Sequence, residues 1–155
     1  MVEKPFLNTA SIASIDLGLV MTEHQHQYLL VLLARASPSR KAECIDASIG
    51  MLNTLDSMVS DSEEPFNGII WQLVCCPFTP FLSLFGDVIS NGHGESESNL
   101  ALLHAMEKLP VFLTKMSVRN SLAGNLKRIA VVFVQQARDT MRSEGVSLLE
   151  TIRKL

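Results

Sequence analysis

The sequence lacks the short motifs that mark the common enzyme chemistries. It contains no GxSxG nucleophile elbow, no P-loop, no GxGxxG dinucleotide fingerprint and no HExxH zinc motif. Serine-elbow hydrolysis, phosphoryl transfer at a P-loop and dinucleotide-dependent redox chemistry are therefore not indicated. Any activity of this chain would have to come from the shape of an apolar pocket and a few hydrogen-bond donors.

Cysteines and long hydrophobic runs are also scarce. The three cysteines, Cys44, Cys75 and Cys76, form neither an even disulfide framework nor a CxxC pair, and adjacent cysteines bridge only with strain. The first ten residues hold no continuous apolar segment of signal-peptide length, and runs such as 29–34 are far shorter than the ~20 residues that cross a bilayer. We expect an intracellular protein, cytoplasmic or nuclear, without a membrane span.

Positive charge is not in excess. The chain has 13 Lys and Arg against 16 Asp and Glu, a net charge of -3, whereas nucleic-acid binding draws on clustered Lys and Arg. The basic residues that come nearest to a cluster are spaced along a predicted helix, as its solvated face: Arg119, Lys127, Arg128, Arg138 and Arg142. We expect no direct contact with nucleic acid.

The histidines do not form a metal site. His24 and His26 are two residues apart, which on a helix turns the two side chains about 200° away from each other, so they cannot hold one ion together. We therefore expect no metal and no cofactor.

Hydrophobic residues are abundant by contrast. They make up 47% of the 155 residues, against 19% charged residues, and the mean hydropathy is positive. A chain of this length buries enough surface for one sizeable core. We expect a single domain over 1–155, with either an apolar cavity or an apolar partner surface.

The spacing of the apolar residues predicts helices throughout. One helix runs from Thr22 as its cap to Pro38, and a second carries apolar residues at steps of three or four from 42 to 59. A third begins around Pro77 and ends at 90 or 91. The segment GIIWQLVCC before it fits a strand or a buried helical turn.

Two further helices and a short last one follow towards the carboxyl end. A helix from about 97 is kinked or broken at Pro110, another ends at Gly145, and VSLLETIRKL forms the last one. We predict an all-α fold, a single compact bundle of about six or seven helices.

The aromatic residues form a stripe along the third helix and the segment before it. Trp71, Phe78, Phe81 and Phe85 are spaced so that a nearly continuous helix puts them on one face. Such a stripe is either core or one wall of a ligand cavity. Asp87 lies on the same apolar helix, so it is either on an exposed flank or paired, and we expect it to face water.

The order of these segments resembles the C-terminal part of the fungal-specific transcription factor domain, the middle homology region of binuclear zinc-cluster transcription factors. The resemblance lies in WQLVCCPFTPFLSLFGDVISNG, a polar loop and then SNLALLHAM, with YLLVLLARASPS and the Cys-x-x-Ala of 44–47 upstream. It covers 28–116 and implies an all-helical regulatory fold cut to its last third. The six clustered cysteines of that family's DNA-binding part are absent from this sequence.

Two function classes remain open. The first is a stand-alone domain that binds an apolar fungal secondary metabolite, a terpenoid or polyketide, and promotes its cyclisation or cycloaddition without a cofactor. The second is a non-enzymatic regulatory remnant that acts through protein contacts. A homodimer or a partner helix would cover an exposed apolar face in either case. For the first class we predict catalytic donors at Tyr28, Thr79 and His104 and ligand-binding residues at Trp71, Phe78, Phe81, Phe85 and Met106.

Overall fold

A computed structural model describes residues 9–58, 76–91, 97–118 and 120–153. Within these ranges the chain forms five α-helices and one short 3₁₀ turn, and no strand. The α-helices are α1 (Thr9–Arg35), α2 (Lys41–Met58), α3 (Phe78–Asn91), α4 (Glu97–Ser117) and α5 (Ser121–Arg153), with the 3₁₀ turn at Pro38–Arg40. The predicted all-α class is confirmed.

Within the described ranges the helices are fewer and longer than the sequence predicts. Thr22 does not cap a helix; it lies inside α1, where its hydroxyl donates to the carbonyl of Gly18 at 2.8 Å. Gly145 does not end α5, which continues to Arg153, because one glycine costs only about 1 kcal/mol inside a long helix. Pro110 does not break α4, which is continuous from Glu97 to Ser117.

Specific hydrogen bonds mark the starts of α5 and α3. The side-chain oxygen of Asn120 accepts the backbone N–H groups of Leu122 and Ala123 at 2.9 and 3.3 Å, which caps α5. The carbonyl of Pro77 accepts the N–H of Phe81 at 3.1 Å, the first hydrogen bond of α3. The prediction of a helix that begins around Pro77 and ends at 90 or 91 is therefore confirmed.

The main core lies between α2, α3, α4 and α5. α2 contacts both α3 and α4, and α4 packs along α5. The largest fully buried apolar side chains come from all four helices: Met51, Leu52 and Leu55 of α2, Phe81 and Leu84 of α3, Met106, Leu109 and Leu113 of α4, and Met141 of α5. These four helices supply the one large core that the length of the chain predicts.

α1 lies at the edge of this arrangement. It packs along α2, with a much smaller contact to α3. Val31 and Ala34 of α1 meet Cys44 and Ala47 of α2 in a second, smaller hydrophobic cluster. One face of α1 is therefore covered by α2. None of the helices in the described ranges is both long enough and apolar enough to cross a membrane.

Candidate functional site

The predicted aromatic stripe forms a cluster of edge-on rings. The ring centre of Phe81 lies 5.9 Å from that of Phe78 and 6.2 Å from that of Phe133, and Phe85 lies 4.6 Å from Phe133. Such geometries are favourable for aromatic pairs. Phe133 comes from α5 and was not among the predicted site residues. The sequence puts it on an apolar helix face but does not say which helix that face meets.

Four of the five predicted ligand-binding residues belong to one hydrophobic cluster. Phe81 and Met106 are fully buried in the core, and Phe78 and Phe85 pack against that core while staying partly exposed. Trp71 lies outside the residues that the structure describes. The apolar part of the predicted site is therefore continuous with the core, and its accessible edge is formed by the partly exposed rings.

The predicted hydrogen-bond donors lie on three different helices. Tyr28 is half-buried on α1, Thr79 is half-buried in the first turn of α3, and His104 is exposed on α4. His104 and Met106 are two residues apart on one helix, so their side chains leave it about 200° apart. Met106 accordingly faces the core and His104 the solvent. The catalytic role of these three donors stays a prediction.

Sequence reasoning missed a buried polar group between α1 and α2. His24 is only 1% exposed, and its Nδ1 lies 2.8 Å from the hydroxyl oxygen of Thr54. The Thr54 hydroxyl donates its one hydrogen to the carbonyl of Met51 at 2.7 Å, so its oxygen must accept the proton of His24 Nδ1. The Nε2 atom of His24 is buried and has no hydrogen-bond partner among the described residues.

Burial also sets the charge of His24. It lowers the pKa of His24 from 6.5 to about 4, against a smaller opposing effect of the Met51 backbone. The ring is therefore neutral at pH 7. The sequence puts His24 on the same helix face as Val31, seven residues and two turns away, but the burial of that face is known only from the structure. His26, by contrast, is exposed, as expected from the opposed directions of the pair.

Asp87 is held by a cation. Its side chain is 17% exposed and lies 2.5 Å from Nζ of Lys41 in α2, and it accepts a hydrogen bond from the amide of Asn91 at 2.8 Å. The expectation that Asp87 faces water is wrong, because a cation on the neighbouring helix pairs with it at the edge of the core. Two further ion pairs join helices in the same manner: Lys108 with Asp56 and Arg138 with Glu107.

No metal centre emerges from the part of the chain that the structure describes. There, no three His, Cys, Asp or Glu side chains are placed to hold one ion. His24 and His26 lie on opposite sides of α1, one buried and one exposed, as their spacing predicts.

Three leucine side chains are exposed on the outer side of α1, among the polar side chains of Thr22 and His26. Leu19, Leu29 and Leu33 are 65%, 56% and 62% exposed. They lie on the side of the helix opposite the buried His24 and Val31. α5 also exposes apolar side chains, at Ile129, Val131 and Val132, of which Val132 points away from the buried stripe of this helix. Exposed apolar side chains that lie together can mark contact surfaces.

Comparison with known proteins gives a transcription-factor-like relationship. Over 147 residues, 93% of this chain, the sequence is 31% identical to a protein of Claviceps purpurea (strain 20.1) named "Transcriptional regulator". The aligned region is 24% of that protein, so the chain spans about a quarter of the length of the relative it matches. No protein-family profile matches the chain, and no solved structure matches it.

Proposed function

We propose that this chain is a regulatory domain of the fungal transcription-factor type, which works in the nucleus through contacts with protein partners. The observation that carries this proposal is the 31% identity to a protein named as a transcriptional regulator over 93% of the chain. The similarity extends over nearly all of the helical fold, so it does not depend on one short motif. The resemblance of 28–116 to the middle homology region agrees with it.

The surface supports partner contact. α1 and α5 both expose leucine, isoleucine or valine side chains, and covering such side chains with a second apolar surface lowers the free energy. The charge of the chain is -3, which does not favour DNA as the partner. Regulation by this chain would therefore act through a protein that contacts DNA.

The proposal is tested by tethering the chain to a promoter. The chain is fused to an unrelated DNA-binding domain in a fungal host, and transcription of a reporter with matching sites is compared with that of the DNA-binding domain alone. A several-fold rise or fall in reporter transcription is expected. A fusion that accumulates in the nucleus and leaves the reporter unchanged would contradict the proposal.

The tethering experiment also has matched variants. Leu29→Glu changes the outer face of α1, and Val132→Glu changes the outer face of α5, and both side chains are more than half exposed. Neither substitution removes a core contact, so both variants should fold. Loss of the reporter effect in one variant and not in the other would identify the helix that meets the partner.

Binding and cyclisation of an apolar metabolite is a second candidate. Its specific support is the partly exposed rings of Phe78, Phe85 and Phe133 at the edge of the core, which offer an apolar molecule a rigid aromatic surface. A bound substrate would be held in its reactive conformer, and one of the predicted donors would polarise its carbonyl.

Thermal-shift screening against apolar fungal metabolites, followed by product analysis, tests this second candidate. A metabolite that raises the Tm and is converted to a new product would support it. Thr79→Val and His104→Ala should then lower the rate of conversion. If no metabolite raises the Tm and both substitutions affect stability alone, the hypothesis is rejected.

A further inference from the structure

Two of the six prolines directly follow a residue with a hydroxyl group, and the structure places the two pairs in opposite surroundings. Ser37 and Pro38 lie in the turn between α1 and α2, where Ser37 is half-buried and Pro38 is exposed. Thr79 and Pro80 lie in the first turn of α3, where Pro80 is buried. Of these two pairs, the one in the turn is therefore open to a second protein.

The residues around Pro38 form an acceptor sequence for phosphorylation. The order at 37–40 is serine, proline, serine, arginine, so the first hydroxyl has a proline directly after it and a cation three residues on. Protein kinases select their substrates by such local patterns of shape and charge. The residue three positions after Thr79 is Leu82, which is apolar. Sequence and exposure thus both favour the turn.

We propose that Ser37 is a phosphorylation site, modified by a protein kinase that requires proline directly after the acceptor, and that Arg40 holds the phosphate. The Ser37 hydroxyl oxygen attacks the γ-phosphorus of ATP, the bond from that phosphorus to ADP breaks, and the hydroxyl proton passes to a carboxylate of the kinase. This inference goes beyond the proposed function and does not depend on it, because the kinase needs only the acceptor sequence and access to it.

The conformation of Ser37 suits entry into the cleft of a kinase. Its φ of -127° and ψ of 120° are extended, the region that a following proline favours. Its hydroxyl contacts that of Ser39 at 2.9 Å, at an exposed place, where water can take over the hydrogen bond. The 3₁₀ turn Pro38–Arg40 that follows has no buried residue. Opening this turn in the cleft therefore exposes no core side chain.

Arg40 is placed to bind the phosphate once it is attached. Ser37 is the N-cap of the 3₁₀ turn and Arg40 is its third residue, and a side chain at the third position can reach back to the N-cap. Arg40 now pairs with Glu43 at 2.6 Å, with both side chains exposed, and such a pair contributes little. A phosphate with a charge of about −1.5 to −2 competes well for the same guanidinium.

Incubation of the 155-residue chain with a proline-directed protein kinase and radiolabelled ATP tests the acceptor. Phosphate should enter at Ser37, as located by mass spectrometry of peptides, and Ser37→Ala should abolish the label. Ser39→Ala is the matched control, because it changes a hydroxyl in the same turn and should keep the label. No label, or label at Ser39 or Thr79 in place of Ser37, would overturn the proposal.

Two further variants test how the site is recognised. Pro38→Ala and Arg40→Gln should each lower the rate of phosphate incorporation about tenfold, the equivalent of one lost contact of about 1.4 kcal/mol. Both positions lie in the turn that has no buried residue, so both variants should fold and keep an unchanged circular dichroism spectrum. Unchanged rates in both variants would show that the kinase does not read this turn, and would overturn the proposal.

Phosphorus-31 nuclear magnetic resonance tests the contact with Arg40. A guanidinium beside the phosphate should hold its second pKa below the usual value of about 6. The Arg40→Gln variant, phosphorylated by longer incubation, should have a higher pKa for the same group. An equal pKa in the two phosphorylated proteins would contradict the role of Arg40.

The reporter assay separates this inference from the proposed function. A chain that takes phosphate at Ser37 and leaves the reporter unchanged rejects the regulatory function alone. A chain that alters the reporter and takes no phosphate at Ser37 rejects the phosphorylation site alone.

Discussion

His24 and Thr54 join α1 to α2 through a buried hydrogen bond of 2.8 Å. Because the Thr54 hydroxyl gives its hydrogen to Met51, the proton of the His24 ring is on Nδ1, and the lone pair of Nε2 accepts no hydrogen bond from the described residues. A neutral ring tolerates this arrangement at a modest cost. A charged ring would place an unpaired N–H and a positive charge in the same apolar interface.

Acid should therefore destabilise the fold through His24. Its pKa is 6.5 in the unfolded chain and about 4 in the folded protein, so the unfolded chain takes up the proton first. The unfolding free energy linked to a neutral His24 is fully present above pH 6.5 and is lost as the pH falls towards 4. The loss amounts to at most about 3 kcal/mol. Urea unfolding at several pH values across this range measures the loss.

Histidine variants isolate this effect from other titrating groups. His24→Gln should remove most of the pH dependence between 6.5 and 4, although it lowers stability at pH 7. His104→Gln, at an exposed position on α4, should keep the full pH dependence. If the unfolding free energy falls equally steeply with pH in the His24→Gln variant and in the unmodified chain, His24 is not the source of the pH dependence.

Phe81 should be the most sensitive aromatic position. Its side chain is fully buried and lies edge-on to Phe78 and Phe133, so Phe81→Ala is expected to cost about 3–5 kcal/mol of unfolding free energy. Leu82→Ala, one residue further along α3 and largely exposed, should cost less than about 1 kcal/mol. Guanidinium unfolding of both variants measures the two losses of unfolding free energy. Similar losses in the two variants would contradict this prediction.

Gly86 should be a site of stabilisation. It lies inside α3, and a Cβ placed there meets no atom within 4 Å. Gly86→Ala is expected to raise the unfolding free energy by about 0.5–1 kcal/mol, because alanine has the higher helix propensity. Gly50→Ala is the comparison, since its Cβ would come within 3.1 Å of the Gln27 side chain, and it should yield a smaller gain. A larger gain at Gly50 would show that Gln27 moves freely.

The Lys41–Asp87 pair should contribute little. Asp87 is only 17% exposed, but Lys41 is 56% exposed and loses side-chain freedom in the contact, and pairs with such an exposed partner contribute about 0–1 kcal/mol. A double-mutant cycle with Lys41→Met and Asp87→Asn measures the coupling energy, which should shrink as salt is added. A coupling well above 1 kcal/mol would mean that the pair is less hydrated than its exposure indicates.

The buried face of α2 shows what the sequence predicts and where it fails. Leu52 and Leu55 are buried as their spacing predicts, but Ile45 and Ile49 are only partly buried, and Ser48 and Met51 are fully buried in their place. Ser48 can be buried because its hydroxyl donates to the carbonyl of Cys44 at 2.7 Å. Hydropathy alone cannot reveal a polar side chain satisfied by its own helix.

The candidate site also has parts that the sequence predicts and parts that it does not. Periodicity is enough to place Phe78, Phe81 and Phe85 on one face of α3, because helical geometry is local. The contact with Phe133 and the burial of His24 depend on which helix packs against which, and that is decided by contacts between residues far apart in the chain. Thr22 is a further case, because the residues before it are helical, so it lies inside α1 and its hydroxyl bonds a carbonyl of its own helix.

The edge position of α1 has a consequence for how the protein folds as it is made. Among the described helices α1 contacts mainly α2, so a helical hairpin of α1 and α2 can bury apolar surface before the helices that follow them are complete. Its contacts join residues near in sequence, which favours rapid formation. The helices that follow then complete the core upon α2, and α1 stays at the edge, joined mainly to α2 and to a smaller extent to α3.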